Sequence, residues 1–455
     1  MKSILTGLIG ILAVFSCSTR EVYDLKITNA NVLNVRSGTV EKNRTVLIQN
    51  GIIKEISGKK DYRSKETINA SGKLVTPGFI DTHIHPTDIF GDYEKAPEYL
   101  QEDKLPMMRK ALSDQYVPYG TTTVMTMGQP EKWIKPLLKW QNQPDHGSVE
   151  FYLCGGALIS KDNRTPYIAH TEVTSPEMAG KKIVEYHNLG IKNIKLYYRL
   201  KEPEFSAVTK AADSLNMKMF GHIGDFNPEY LNINQTLKLG LTNYEHLATI
   251  PNSIITSDED WALLDKQFKD HFGDLNSEAK VIEFFLEQFR FISEHKTAEM
   301  QAFIKEMKDK NVTFSTTLHR IYEQIEPTFF TDRKDTALTQ KQLDRSKENF
   351  AIMMKYVKEI NDKGILLRLG SDMPNGGKVN LSELIILAKH GFRISDIFKI
   401  ASYNGAKTIG IEKETGSVEK GKKADMIIWH QDPFENYSNF TSKITVIKGG
   451  RKYVE

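Results

Sequence analysis

The sequence predicts an α/β fold, a (β/α)8 TIM barrel joined to a small β-sandwich domain that is built from both chain ends. Between about residues 75 and 405, eight short apolar runs alternate with stretches typical of helices, and this alternation favours a parallel sheet. A closed barrel of this kind requires eight strands. Strand-like segments with Gly and Lys turns lie outside the barrel region, at residues 23–74 and 417–455.

The predicted barrel strands are the eight apolar runs themselves. In chain order they read LVTPGFIDTHIH, TTTVMTM, VEFYLCGG, IKNIKLYY, MKMFGHIG, LTNYEHL, VTFSTTLH and ILLRLGSD. The connection between the sixth and seventh runs is long for a βα unit and rich in helix formers. We therefore expect a helical insertion at about 252–310, either a lid over the site or an elaboration of the barrel wall.

The domain boundaries follow from these patterns. We expect a signal segment at 1–17, a composite β domain from 18–75 and 408–455, and the barrel at 76–407. Within the β domain, Asn50-Gly51 stands between two apolar runs, a pattern that predicts a β-hairpin.

The composition argues against a disordered, a nucleic-acid-binding or a disulfide-rich protein. Of 455 residues, 40% are hydrophobic and 26% are charged, which is typical of a globular chain. The 61 Lys and Arg residues nearly balance the 58 Asp and Glu residues, and this argues against nucleic acid as a partner. Two cysteines are too few for a disulfide framework.

The N-terminus has the pattern of an export signal. Lys2 precedes an apolar run from Ile4 to Phe15, which is too short to span a bilayer, and Ser16-Cys17 follow. The segment resembles a bacterial lipoprotein signal with a lipobox ending at Cys17. The resemblance implies cleavage before Cys17, lipid attachment to it, and a membrane-anchored protein of the periplasm or outer membrane. An ordinary secretory signal or a hydrophobic N-terminal helix are the alternatives.

A metal site is predicted at one end of the barrel. His83 and His85 stand two apart on the first strand, so their side chains point to the same side. Other candidate groups each come at the C-terminal end of a later run, where the strands of a barrel converge on the active-site face. These groups are Lys195, His222, His246 and Asp372.

The chain resembles the amidohydrolase superfamily of metal-dependent hydrolases over nearly its whole mature length. The resemblance rests on PGFIDTHIH, GTTTV, GHIG, YEHL and GSD at the barrel strands, and on the closing segment SYNGAKTIGIEKETGSVEKGKKADMIIW. It implies that His83 and His85 bind one metal ion with Asp372, and that His222 and His246 bind a second.

The same resemblance implies that Lys195 is carbamylated by carbon dioxide and bridges the two metals. Protonated lysine has no lone pair for a metal, whereas a desolvated neutral lysine can take up carbon dioxide. Lys192 lies in the same run, but it points to the opposite face. Imidazole and carboxylate ligands suit divalent ions, above all zinc.

The expected activity is hydrolysis of an amide C–N bond by a hydroxide that bridges the metals, with Asp372 moving the proton. A dipeptide, an N-acyl amino acid or a cyclic amide is the expected small-molecule substrate, since the sequence is most similar to the prolidase and imidazolonepropionase-like group. The alternatives are a lactonase or esterase, a single-metal deaminase and a non-catalytic metal-holding lipoprotein. Deaminases of this superfamily usually carry His-x-x-Glu at the fifth strand, where this chain has His222-Ile223-Gly224-Asp225.

Two further residues are candidates for substrate binding. His319 ends the seventh run, and it could hold a substrate carbonyl or carboxylate or be a structural residue of the barrel rim. Tyr197 shares the strand face of Lys195, and it could line the pocket or simply pack.

Overall fold

The computed structural model describes residues 21–85, 105–161, 170–224 and 229–453. The predicted signal segment with Cys17 lies outside the described residues, and so does Asp225. Within the described ranges, no helix has the length and apolar character needed to cross a membrane.

Strands and helices are numbered here in chain order. The strands are β1 (Val22–Asn34), β2 (Thr39–Gln49), β3 (Ile52–Ser57), β4 (Arg63–Asn69), β5 (Leu74–Pro77), β6 (Phe79–Ile84), β7 (Thr121–Thr126), β8 (Glu150–Ile159), β9 (Thr171–Glu172), β10 (Asn193–Leu196), β11 (Lys218–Gly221), β12 (Asn243–Tyr244), β13 (Thr313–Ser315), β14 (Leu366–Arg368), β15 (Met426–Trp429), β16 (Ile444–Lys448) and β17 (Arg451–Lys452). The α-helices are α1 (Leu105–Tyr116), α2 (Glu131–Asn142), α3 (Pro176–Asn188), α4 (Glu202–Ser214), α5 (Ile233–Lys238), α6 (Asp258–Phe272), α7 (Glu278–His295), α8 (Thr297–Asp309), α9 (His319–Tyr322), α10 (Gln340–Asp362), α11 (Gly376–Lys389), α12 (Ile394–Lys399) and α13 (Gly405–Ile409).

The eight predicted runs form the parallel barrel. The strand order is β6-β7-β8-β10-β11-β12-β13-β14, with β9 added to β8. The two ends of this order meet through backbone hydrogen bonds: Thr82 N donates to Leu369 O at 2.9 Å, and Asp372 N donates to His83 O at 2.9 Å. The barrel prediction is therefore confirmed, and the first strand lies beside the last.

Within the part of the chain that the structure describes, both chain ends contribute to one eight-stranded sheet, as predicted. Its order is β17-β16-β15-β5-β1-β2-β3, with β4 paired to β1. The C-terminal β15 pairs antiparallel with the N-terminal β5, which leads directly into the first barrel strand. The hairpin between β2 and β3 turns at Asn50 and Gly51, whose φ angles of 54° and 73° suit a type I′ turn.

The predicted insertion contains the helices α6, α7 and α8. Helix α7 packs against α10 through buried polar contacts. Arg345 binds the buried Glu287 carboxylate, and Asn349 donates to the same carboxylate at 2.7 Å. Since α7 is joined to a helix of the barrel in this way, the contacts favour the barrel-wall interpretation over a lid for this helix.

Candidate metal centre

Three predicted ligands come together at the seam where the barrel closes. The Oδ1 atom of Asp372 lies 3.3 Å from His83 Nε2 and 3.2 Å from His85 Nε2. Each of the three residues offers one ligand atom, and these atoms all lie within 4.8 Å of one another. Because β6 and β14 are adjacent, residues almost 300 positions apart form one candidate metal-binding group.

The second predicted pair lies next to this group. The rings of His222 and His246 are 4.4 Å apart between centroids, and the His246 ring is 4.7 Å from that of His83. His246 Nδ1 is 3.8 Å from Asp372 Oδ2. The structure thus brings these predicted ligands into one cluster at the C-terminal ends of their strands.

Electrostatics keep two of these imidazoles neutral. Burial lowers the pKa of His222 well below its usual range, and neighbouring His246 and Lys195 lower it further. Burial also lowers the pKa of His246 to about 3. A neutral imidazole keeps a lone pair on one ring nitrogen, and this is the form that binds metals.

Asp372 is ionised in this setting. Burial alone would raise the pKa of its carboxyl, but His83 and His85 hold that pKa well below the usual range. The anionic carboxylate can therefore act as a ligand or accept a proton.

Lys195 is buried beside the histidines. Its side chain is 1% exposed, and Nζ has no hydrogen-bond partner among the described residues. Burial lowers the pKa of Lys195 even though the carboxylates of Glu245 and Asp372 oppose this effect. The competing Lys192 is exposed at the beginning of the run. Burying an amine without a hydrogen-bond partner costs free energy. The neutral form that burial favours is the form that can take up carbon dioxide.

The backbone is strained at three successive strand ends of the site. His246, Thr317 and Asp372 follow β12, β13 and β14, and their φ angles are 65°, 45° and 49°. Positive φ is uncommon for residues other than glycine and is a true outlier for a β-branched threonine. Such strain clusters at functional sites, where the surrounding structure maintains it.

Sequence reasoning missed the residues that hold the histidines in place. Glu245 Oε2 lies 2.6 Å from His83 Nδ1, and Arg368 binds both oxygens of the Glu245 carboxylate at 2.5 and 3.2 Å. Thr317 Oγ1 lies 3.0 Å from His246 Nδ1. A signal was present, because Glu245 and Arg368 are charged residues inside apolar runs, where an unpaired charge is rarely tolerated.

The contacts of His319 in the structure are those of a structural residue. Its Nδ1 is 2.9 Å from Ser382 Oγ, its backbone N–H donates to Glu383, and its ring stacks on Phe330 at 5.3 Å. Burial lowers the pKa of His319 to about 4. Its substrate role stays a prediction.

Tyr197 is buried against a predicted ligand. Its ring meets that of His222 edge to face at 5.0 Å, and it also packs on Tyr198. The tyrosine therefore limits the movement of the His222 ring. Its contact with substrate likewise stays a prediction.

Comparison with known proteins identifies a family and a set of similar folds. The model of the amidohydrolase family matches residues 74–452. A prolidase complexed with N-methylphosphonate-L-proline is 16% identical and has a TM-score of 0.64, covering 94% of this chain and 98% of the prolidase. A Xaa-Pro dipeptidase with bound methionine is 16% identical with a TM-score of 0.62, covering 95% and 100% of the two chains. The ochratoxinase of A. niger is 16% identical with a TM-score of 0.63, covering 95% and 96%.

The curated relatives match over a short stretch. A dihydroorotase of Listeria monocytogenes serotype 4a (strain HCC23) is 43% identical over 74 residues. That stretch is 16% of this chain and 16% of the dihydroorotase.

Proposed function

The chain belongs to the amidohydrolase family, and on that premise we propose that it is a metal-dependent hydrolase that cleaves an amide C–N bond. The observation that carries the proposal is the placement of Lys195. The Lys195 amine is fully buried and has no hydrogen-bond partner among the described residues. It interacts electrostatically with Asp372 and His83. A cluster of histidines with a buried lysine and a carboxylate suits a pair of divalent ions better than any other use of these side chains.

The residues present fit this metal content. His83, His85 and Asp372 would hold one ion, His222 and His246 would hold the other, and the carbamate of Lys195 would join them. The neutral imidazoles of His222 and His246 have the lone pairs that this requires. We propose zinc as the metal, because nitrogen and oxygen ligands of this kind suit it. When bound, the two ions would make water acidic and polarise the substrate carbonyl.

Asp372 has the position of the proton carrier. Among the described residues, it is the one carboxylate that contacts His83, His85 and His246. Its pKa is held low, so the carboxylate can accept a proton from attacking water and then deliver it to the leaving nitrogen. Tyr197 packs against the His222 ring and limits its movement.

We propose a dipeptide or an N-acyl amino acid as the substrate class, with a cyclic amide as the alternative. Prolidases and Xaa-Pro dipeptidases share this fold over nearly their whole length, and this supports the first class. The short match to dihydroorotase supports the second. The fold alone does not select between them, because specificity in a barrel comes from its loops.

Metal analysis combined with a substrate panel tests the proposal. The mature protein, loaded with zinc in the presence of bicarbonate, is expected to hold two metals per chain and to hydrolyse members of a panel of dipeptides, N-acyl amino acids, cyclic amides and lactones. Two bound metals without turnover of any member would instead indicate a binding protein. One bound metal with release of ammonia from an amino-substituted ring would indicate the deaminase, and turnover of lactones alone would indicate the lactonase.

We also propose that the protein is exported and anchored to a membrane by lipid on Cys17. The support is the sequence pattern alone: a charged residue, a short apolar run and Ser16-Cys17. Expressed in a bacterium, the full chain is expected in the membrane fraction with lipid on Cys17, and Cys17→Ser is expected to lose the lipid. Mass spectrometry of the natural chain measures the lipid directly, and a natural chain that carries no lipid on Cys17 would contradict lipidation.

A further inference from the structure

We propose that Arg368 and Glu245 form a positioning pair that fixes His83 for metal binding. The inference rests on the metal centre of the proposed function, and it adds two residues that do not themselves bind metal. The pair would set both the orientation of the His83 ring and the nitrogen that faces the metal.

The contacts form a continuous chain. Arg368 binds the Glu245 carboxylate through two guanidinium nitrogens, and Glu245 Oε2 reaches His83 Nδ1 at 2.6 Å. On the other side of the ring, His83 Nε2 faces Asp372 at 3.3 Å. A ring that donates from Nδ1 to the Glu245 carboxylate presents Nε2 to the cluster, where its lone pair would bind a metal.

The pair is itself held rigidly. Arg368 also donates to Thr82 Oγ1 and to the Tyr244 backbone oxygen, both at 3.1 Å. Arg368 and Glu245 are both fully buried, at 0% exposure. These contacts join β6, β12 and β14, so three barrel strands determine where one imidazole points.

Charge balance explains why an arginine accompanies the glutamate. A lone buried carboxylate would be strongly destabilising, and a bidentate guanidinium compensates it. A hydrophobic pair of similar volume would fill the same space at little cost to stability. Stability alone therefore does not explain two buried charges at this place, and the contact with His83 Nδ1 gives them a role.

The experiment compares zinc binding with stability in matched variants. Apo protein is titrated with zinc chloride against a chromophoric chelator, and thermal unfolding of the apo form is measured in parallel. Glu245→Gln keeps the shape but leaves Arg368 unpaired, so both stability and zinc affinity are expected to fall. The double variant Glu245→Gln/Arg368→Met removes both charges, so stability is expected to recover, whereas zinc affinity stays about 10–100-fold below that of the natural chain. Cobalt absorption spectra of the double variant are expected to show altered ligand geometry.

A buried ion pair elsewhere provides the control. Lys448 Nζ lies 3.2 Å from both Asp425 oxygens, in the β domain. Asp425→Asn/Lys448→Met is expected to leave zinc affinity and the cobalt spectrum unchanged. Natural zinc affinity and an unaltered cobalt spectrum in Glu245→Gln/Arg368→Met would overturn the positioning role. This result is distinguishable from failure of the proposed function, in which the natural chain would bind metal without hydrolysing any substrate.

Discussion

At the scale of single residues, Lys195 shows how burial creates chemistry. The same side chain on the surface would be a protonated cation. Inside the barrel, desolvation lowers its pKa and leaves Nζ without a hydrogen-bond partner among the described residues. The reactivity of the amine is therefore a property of its position.

Replacing Lys195 by alanine is expected to remove at least one metal and nearly all of the rate. The physical reason is the loss of the group that would join the two ions. Metal content by elemental analysis and kcat on the best substrate of the panel are the measurements. Lys192→Ala is the control, and it should keep both properties. A Lys195→Ala protein with two metals and normal turnover would rule out the bridging role.

Replacing Asp372 by asparagine is expected to preserve much of the fold while activity collapses. Asparagine is nearly isosteric, but it cannot accept and return a proton, and general acid–base groups typically contribute about 10²–10⁴-fold in rate. Circular dichroism checks the fold, and kcat at saturating zinc checks the rate. Unaltered kcat would show that another group moves the proton.

The sequence indicates the candidate ligands because each comes at the end of an apolar run. The C-terminal ends of barrel strands converge on one face. The partners of His83 could not be found in the same way. Glu245 and Arg368 lie 123 positions apart, and only closure of the barrel brings them to one ring. The sequence leaves the role of His319 open, because a histidine at a strand end can bind substrate or be held by contacts such as those with Ser382 and Phe330.

At the scale of elements, the interface between α7 and α10 buries two neighbouring acidic side chains. Glu283 is buried on α7, with Ser346 of α10 donating to it and with Glu287 one turn away. Burial raises the pKa of Glu283 to about 7, and the negative charge of Glu287 contributes. The sequence predicted helices here, but it could not show that these acids face inward, because α7 also carries the exposed acids Glu278 and Glu294.

This interface predicts a pH-dependent stability. Between the ordinary pKa of a glutamate, 4.5, and about 7, the unfolded chain loses the Glu283 proton while the folded chain keeps it. The free energy of unfolding should therefore fall as the pH rises through this window, by roughly 1.4 kcal/mol per unit for this group. Glu283→Gln removes the titration, so its stability relative to the natural chain should be higher at pH 8 than at pH 5.

Denaturant unfolding of the apo protein at both pH values measures this difference. Glu435→Gln, at an exposed position, is the control and should show no such change. An equal effect of Glu283→Gln at pH 5 and pH 8 would mean that Glu283 ionises normally in the folded protein.

At the scale of the whole molecule, the β domain sets the position of the first barrel strand. Strand β5 pairs with β15 from the far end of the chain, and Gly78 then leads into β6 and its two histidines. A Cβ atom at Gly78 would come within 2.3 Å of Thr122 Oγ1, so only glycine allows this close approach. Hydrophobic patterning predicted both the sheet and the barrel, but the packing between them depends on side chains from distant segments.

Trp429 of β15 is the clearest example of that packing. Its ring is buried among Phe79 of the barrel, Phe398 and Phe440, and its Nε1 donates to Thr76 Oγ1 at 2.9 Å. Trp429→Ala should lower the free energy of unfolding by about 3–5 kcal/mol, because it leaves a cavity between the β domain and the barrel.

The measurement is denaturant unfolding followed by both far-UV circular dichroism and zinc release. Since the two domains share this core, both signals should shift together. The control is Tyr437→Ala, at an exposed aromatic position on the same domain, and it should shift neither signal. If Trp429→Ala lowered the circular dichroism midpoint alone and zinc release kept its natural midpoint, the barrel would be stable without the sheet. In that case the β domain would not support the metal centre, and the strand that carries His83 and His85 would owe its position to the barrel alone.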